Sequence, residues 1–265
     1  MDTVQSIIIA IVEGLTEFLP ISSTAHMKFV NPLLGVSPSP FTDMFEVVIQ
    51  LAAILAVVVL YWKKFFDFKR ISFYIKLIIA VIPALIAGFF LKKHIDVALG
   101  NLTFIACVMV AGGIILLFID KVFKNPTVDS EEKVSNKTAF VIGCGQVLSI
   151  IFPGLSRSAA TIITGMSQKL TRSAAAEFSF FLAVPTMLAA SAKSFLDTYK
   201  TNPEVIAKDN LTTLLIGSVV AFIVALLAIK FFIGFLKKYG FKVWGIYRII
   251  VGVIMLALIF SHVIN

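Results

Sequence analysis

The sequence predicts an all-α integral membrane protein with an inverted-topology repeat, each half one re-entrant helical hairpin plus three transmembrane helices, six full spans in total. Three observations carry this. The 265 residues are 59% hydrophobic and only 14% charged, with mean hydropathy +0.99, whereas soluble domains carry about 25% charged residues. Two apolar stretches are broken by proline beside hydroxyl-rich segments, Pro20 to Thr24 and Pro153 to Ser158. The apolar stretches run to about 20 residues without the alternation of outer-membrane strands, so the spans are helical.

The first stretch, Thr3 to Leu19, stops at Pro20, which cannot continue a helical hydrogen-bond ladder. It carries two glutamates and lacks a basic leader and a cleavage site, so it is not read as a signal peptide. A short arm, Met27 to Leu34, returns to Gly35 and the Pro38-Ser39-Pro40 turn, giving a hairpin over 3–35. Irregular backbone at membrane depth is tolerated only inside protein or beside water, which favours a re-entrant arrangement. Spans follow at Phe45 to Trp62, Ile71 to Leu91 and Leu102 to Ile119.

A polar linker, 121–137, with Pro126 and the run DSEEK, separates a first repeat (1–120) from a second (138–265). There, an arm Phe140 to Phe152 breaks at Pro153-Gly154, a second arm runs from Ser158 to Gln168, and the hairpin covers 138–168. Spans follow at Ser173 to Phe195, Leu211 to Leu236 and Val243 to Val263, with a polar stretch Asp197 to Asn210 between the first two. FEVVIQLA from Phe45 resembles AEFSFFLA from Ala176, placing Glu46 beside Glu177. Three spans are odd and a hairpin returns to its own side, so the second repeat starts on the opposite face and the two breaks meet near the midplane.

The net charge of +8 could suggest nucleic acid, but no basic, aromatic-interleaved patch supports it. Loop lysines and arginines divide thirteen to six between the two sides, with Lys63 to Arg70, the linker and Lys237 to Lys242 on the richer one. That side is cytoplasmic, and the termini and first hairpin open outward. Cys107 and Cys144 have no CxxC spacing and read as buried small hydrophobes. His94, His262, Trp62, Trp244 and Tyr247 read as interfacial, Lys230 as snorkelling, and Gln146 as cavity-lining. Asp43 and Glu46 have capping-box spacing at the start of a span, and Glu177 lies in a first turn.

Chemistry concentrates in EGLTEFLPISSTAH, Glu13 to His26, and PGLSRSAAT, Pro153 to Thr161. Glu13 and Glu17, four apart, share a helix face and need compensation from a cation, a metal or water; the alternative is a polar stripe facing partner helices. Ser22, Ser23 and Thr24 exceed what one helix cap requires, and unpaired helix-start N–H groups also bind phosphate. His26 is either a packing residue or an acid/base partner. Arg157, flanked by apolar residues, requires an anion. Its planar fork suits a phosphate, and Gly154 lets backbone approach closely; an internal salt bridge to Glu13 or Glu17 is the alternative. No GxxxxGK[ST] loop is present.

These two motifs, in this order, resemble those of the bacterial undecaprenyl-diphosphate phosphatase family, the bacitracin resistance proteins, along the whole chain. Ala25 and Ala159 stand where that family usually has glycine. The resemblance implies hydrolysis of undecaprenyl diphosphate to undecaprenyl phosphate in the bacterial plasma membrane, with the site opening to the outer face. It also implies a divalent cation, Mg2+ or Ca2+, with Glu13 and Glu17 as candidate ligands. Glu13, Glu17, Ser23, His26 and Arg157 match the family's important site residues, and Ser22, Thr24, Gly154, Ser156, Ser158 and Thr161 are assigned to substrate binding. Ser23 is the candidate nucleophile with His26 as its proton partner, and attack by water activated by Glu17 or His26 stays open. The implied partners are the prenyl diphosphate lipid and the bilayer, without nucleic acid, and a homodimer stays open. The alternative function is a transporter or flippase for a phosphorylated prenyl lipid.

Overall fold

Asp2 starts the chain's first helix with a reciprocal cap: its carboxylate accepts from the Gln5 N–H at 2.8 Å and its own N–H donates to the Gln5 side chain at 2.7 Å. The computed structural model describes residues 1–206 and 208–264, without the side chains of Ile206, Lys208, Asp209 and Lys237. Ala207 and Asn265 of the stretch 138–265, and the loop charges of Lys208 and Lys237, lie outside the described residues.

Every helix or strand element among the described residues is a helix. α1 (Thr3–Thr16) ends before Pro20, and α2 (Ser23–Leu33) resumes after a six-residue break. Then come α3 (Pro40–Leu60), α4 (Trp62–Phe65), α5 (Ile71–Phe90), α6 (Lys92–Leu99) and α7 (Leu102–Val122). Past the linker lie α8 (Asn136–Ile151), α9 (Arg157–Ser167), α10 (Arg172–Thr201), α11 (Lys208–Tyr239) and α12 (Lys242–Phe260). Six helices are long and apolar enough to cross a membrane: α3, α5, α7, α10, residues 210–236 of α11, and α12. At 1.5 Å per residue the shorter α1 and α8 cover only about 21–24 Å.

Local chemistry moved several expected boundaries. Pro40 is preorganised for a first helical turn and Ser39 caps it, accepting from the Thr42 N–H at 3.1 Å. α3 therefore starts five residues before Phe45, and Asp43 and Glu46 are not its capping box. Glu46 is instead buried, accepting from Asn31 Nδ2 at 2.6 Å and pairing with Lys28 at 3.1 Å. α2 begins at Ser23, ahead of Met27, so the hydroxyl run occupies its first turn. α10 continues to Thr201 and takes in part of the expected polar stretch.

α1 packs along α11, α8 along α5, and α7 along α12, while α3 lies against α10 and α11. Glycines permit the close approaches: a methyl on Gly14 would sit 2.7 Å from the Ala221 carbonyl of α11, and one on Gly143 would collide with Ala80 of α5. Small residues at such crossings are how apolar helices gain contact when hydrophobicity does not distinguish a neighbour from lipid. Phe181 anchors an aromatic centre, with Tyr61, Phe73 and Phe65 at 5.0, 5.4 and 5.6 Å. Ile78, Phe89, Leu215 and Leu227 face outward, as a lipid-facing wall requires.

Cys107 and Cys144 are exposed on that wall, not buried. Trp244, expected at the interface, is buried against Phe232 and Phe235. The linker is tied down by buried Glu131, which takes Lys64 at 2.7 Å and Arg70 at 3.1 Å, and by backbone bonds between Val128 and the Lys169–Thr171 segment.

Candidate active site

The break after α1 is dictated by Pro20, and Glu13 and Glu17 sit one helical turn apart on the face that leads into it. Glu13 is fully buried and neither of its carboxyl oxygens accepts a hydrogen bond. Glu17 is fully engaged: one oxygen accepts from the Ser23 hydroxyl at 2.5 Å and the other from Arg157 Nη2 at 2.9 Å. One carboxylate therefore joins a hydroxyl of the first break to the guanidinium of the second. Arg157 Nη1 donates to the Ser179 carbonyl at 3.0 Å, and its buried Nε has no partner.

The second break repeats the geometry of the first. Ser22 and Ser156 each precede their helix with positive φ, 70° and 76°, and each accepts from the N–H three residues on at 3.3 Å. Such backbone costs about 1–3 kcal/mol for a residue other than glycine and persists only where the surroundings hold it. Ser158 Oγ crosses between the breaks to donate to the Leu19 carbonyl at 2.8 Å, and Ser156 Oγ also reaches that carbonyl, at 3.4 Å.

Arg248 of α12 provides the hold. It is fully buried and uses four of a guanidinium's five donors on backbone carbonyls: Met109 at 3.1 Å, Pro20 at 3.0 Å, Leu155 at 2.7 Å and Gly154 at 2.8 Å. Gly112 of α7 leaves it room, since a methyl there would strike the guanidinium. One cation thus gathers carbonyls of both breaks on one side, and the N-termini of α2 and α9 are left to face the cleft. The first N–H groups of a helix have no intrahelical acceptor and carry its positive dipole end.

The cleft is lined by Glu17, Ser22, Ser23, Thr24, Gln50, Ser156, Arg157 and Met187. Six of these are residues singled out in the sequence; Gln50 of α3 and Met187 of α10 are not. The remaining candidates lie around it. Glu13 is a turn back along α1. Gly154 offers its carbonyl to Arg248. Ser158 is buried on Leu19, and Thr161 bonds the Arg157 carbonyl at 2.9 Å and Ser179 Oγ at 2.6 Å. Gln146 is buried against Thr186 at 3.3 Å and does not line the cleft.

His26 turns away from Ser23. Its Nδ1 bonds the Ser22 carbonyl at 2.8 Å and its Nε2 the Tyr247 hydroxyl at 2.9 Å. Ser23 donates to Glu17 instead. Tyr247, expected at the interface, contributes to the site through this contact.

Residues 6–254 match the sequence model of the bacitracin resistance protein BacA family. The chain belongs to this family. Curated relatives are named undecaprenyl-diphosphatase: one from Flavobacterium johnsoniae is 51% identical over 98% of this chain and 97% of its own length. One from Porphyromonas gingivalis is 48% identical over 99% of both chains, and one from Campylobacter jejuni is 42% identical over all of this chain and 97% of the relative. The alanines at 25 and 159 are both buried, and their N–H groups make the two serine cap bonds. Arg248, inside the last apolar span, carries the signal that marked Arg157, a cation where none is cheap, and could have been found by it.

Proposed function

We infer that the chain is an undecaprenyl-diphosphatase, which hydrolyses undecaprenyl diphosphate to undecaprenyl phosphate and inorganic phosphate in the bacterial plasma membrane. The observation that carries the chemistry is the bridging carboxylate: Glu17 holds the Ser23 hydroxyl at 2.5 Å and Arg157 at 2.9 Å in one cleft.

In the proposed mechanism the diphosphate enters between the N-termini of α2 and α9. Arg157 turns donors onto the terminal phosphate, and the hydroxyls of Ser22, Thr24 and Ser156 complete its cradle. Ser23 gives its proton to Glu17 as Oγ attacks the terminal phosphorus. The bond from phosphorus to the bridging oxygen breaks, the electron pair stays on undecaprenyl phosphate, and water then hydrolyses the phosphoserine. Direct attack by a water that Glu17 deprotonates uses the same groups without the phosphoserine. Arg157 and the helix N-termini offset the charge that develops in a loose phosphoryl-transfer transition state.

Glu13 is the carboxylate free to hold a divalent cation, and Glu17 would join it by exchanging its contact with Ser23 or Arg157. The described residues contain no cluster of three or more His, Cys, Asp or Glu side chains that could hold one. Two carboxylates, one with both oxygens unpartnered, match an ion whose shell is completed by water and phosphate oxygens, the habit of magnesium; calcium is the other candidate. When bound, such an ion supplies positive charge to the phosphate oxygens.

The architecture proposed around the site is an inverted repeat, 1–120 and 138–265, of re-entrant pairs α1–α2 and α8–α9, each with three spans. It is supported by the matched serine caps and by reciprocal packing, α1 on α11 and α8 on α5. The lysine and arginine bias supports a cleft that opens to the outer face.

The test is phosphate release from undecaprenyl diphosphate by the purified protein in detergent, with and without chelator. Turnover that falls at least ten-fold with chelator and returns with Mg2+ or Ca2+ is expected. A carrier would bind the lipid and release no phosphate.

A further inference from the structure

The first break is one bond short of the second. Ser22 and Ser156 share the same strained conformation, so Pro20 corresponds to Gly154 and Ile21 to Leu155. Arg248 binds the carbonyls of Gly154 and Leu155 ahead of Ser156, but only that of Pro20 ahead of Ser22. The missing restraint comes from the residue before Arg248 on α12. Tyr247 bonds His26 Nε2 at 2.9 Å with the rings stacked 9° from parallel, and His26 Nδ1 bonds the Ser22 carbonyl at 2.8 Å. The residue equivalent to His26 in the second break is Ala160, which has no ring to offer.

A carbonyl can only accept, so His26 Nδ1 carries a proton; in the neutral ring Nε2 then accepts the Tyr247 hydroxyl proton. Both ring nitrogens are occupied, neither by Ser23, and His26 does not line the cleft. Ser22 does line it and precedes Ser23, so its backbone sets where the Ser23 hydroxyl and the α2 N-terminus point.

We propose that Tyr247 is a positioning residue for diphosphate hydrolysis, acting through His26 on the Ser22 backbone, with His26 as the middle of this brace and not the proton partner of Ser23. The proposal rests on the phosphatase reading above and adds a residue to it.

The test measures phosphate release by the full chain in detergent from pH 5 to 9 for wild type, His26→Ala, His26→Asn and Tyr247→Phe, with thermal unfolding of each. His26→Ala should lower kcat about 100-fold, the scale of a small misplacement of reacting groups. His26→Asn, whose amide still donates to the Ser22 carbonyl, should recover at least about ten-fold of that loss. Tyr247→Phe should lower kcat about three- to ten-fold, the worth of one hydrogen bond, with KM within about two-fold. His26→Asn and Tyr247→Phe should both keep the wild-type pH profile. If His26→Asn is as inactive as His26→Ala and loses an ionisation that the wild-type profile shows, or if Tyr247→Phe matches wild type, the brace is overturned. Nitrogen-15 NMR of the histidines, with His26 assigned by its absence in His26→Asn, separates this from the function: the Nδ1–H tautomer is expected, with Nε2 shifting in Tyr247→Phe. An Nε2–H tautomer overturns the brace whatever the turnover, whereas a wild type with that Nδ1–H tautomer and no phosphate release contradicts the phosphatase reading alone.

Discussion

The two breaks have one geometry and two chemistries. Each puts a serine at positive φ before an 11-residue helix, and each helix ends in a left-handed residue, Gly35 at φ 71° or Lys169 at φ 68°. Closing bonds run from Val36 to Asn31 at 2.9 Å and from Leu170 to Gly165 at 3.1 Å. Yet the first break carries Glu17 and Ser23 and the second carries Arg157. Shared backbone geometry supplies two helix N-termini, which suit any anion; the side chains put a carboxylate and a hydroxyl on one flank and a guanidinium on the other. Neither break alone contains both.

The largest expected effect breaks the chemical half of this comparison. Arg157→Ala should lower kcat/KM at least about 100-fold, on the order of 3 kcal/mol, by analogy with lost oxyanion donors. It also leaves Glu17 without its cation. Arg157→Lys keeps the charge but not the planar fork and should fall between, as steady-state kinetics in detergent will measure. Near-normal turnover in a folded Arg157→Ala would remove the second break from the site.

The next effect breaks the shared geometry. Arg248→Leu strips a charged donor from four carbonyls, three of them in the breaks. It should destabilise the protein by at least about 3 kcal/mol, read as a fall in the thermal unfolding midpoint. A smaller pair of changes sharpens the equivalence: Ser22→Ala and Ser156→Ala each remove one cap bond worth about 1 kcal/mol, and Ser156→Ala should cost more because its hydroxyl also bonds Ser158 and the Leu19 carbonyl. A Ser156→Ala loss at least as large as that of Ser22→Ala, with unequal losses in kcat, would show matched geometry and unmatched chemistry; a larger loss for Ser22→Ala would deny the match.

Much of this was legible because apolar surroundings make polar residues conspicuous. Spans, breaks and Arg157 all announce themselves in that way, and the structure brings Glu17, Ser23 and Arg157 together as their placement suggested. What was missed has local causes. Gln50 hides in FEVVIQLA, an ordinary polar position on a span whose inward face sequence alone cannot orient. Glu46 looks like a helix-end charge when hydropathy alone sets the start of α3, whereas Pro40 and Ser39 set it five residues earlier. Arg248 is as conspicuous in its span as Arg157, but its partners are carbonyls, so the sequence does not show what it holds. His26 next to a serine run suggested a proton relay; the ring's direction on α2 turns it to Tyr247 instead.

The most direct test is an experimental structure with a non-hydrolysable prenyl diphosphonate bound. The account predicts the terminal phosphonate within hydrogen-bond distance of both Arg157 and Ser23, between the N-termini of α2 and α9. A diphosphonate held by one break alone, or seated away from Arg157, would contradict it.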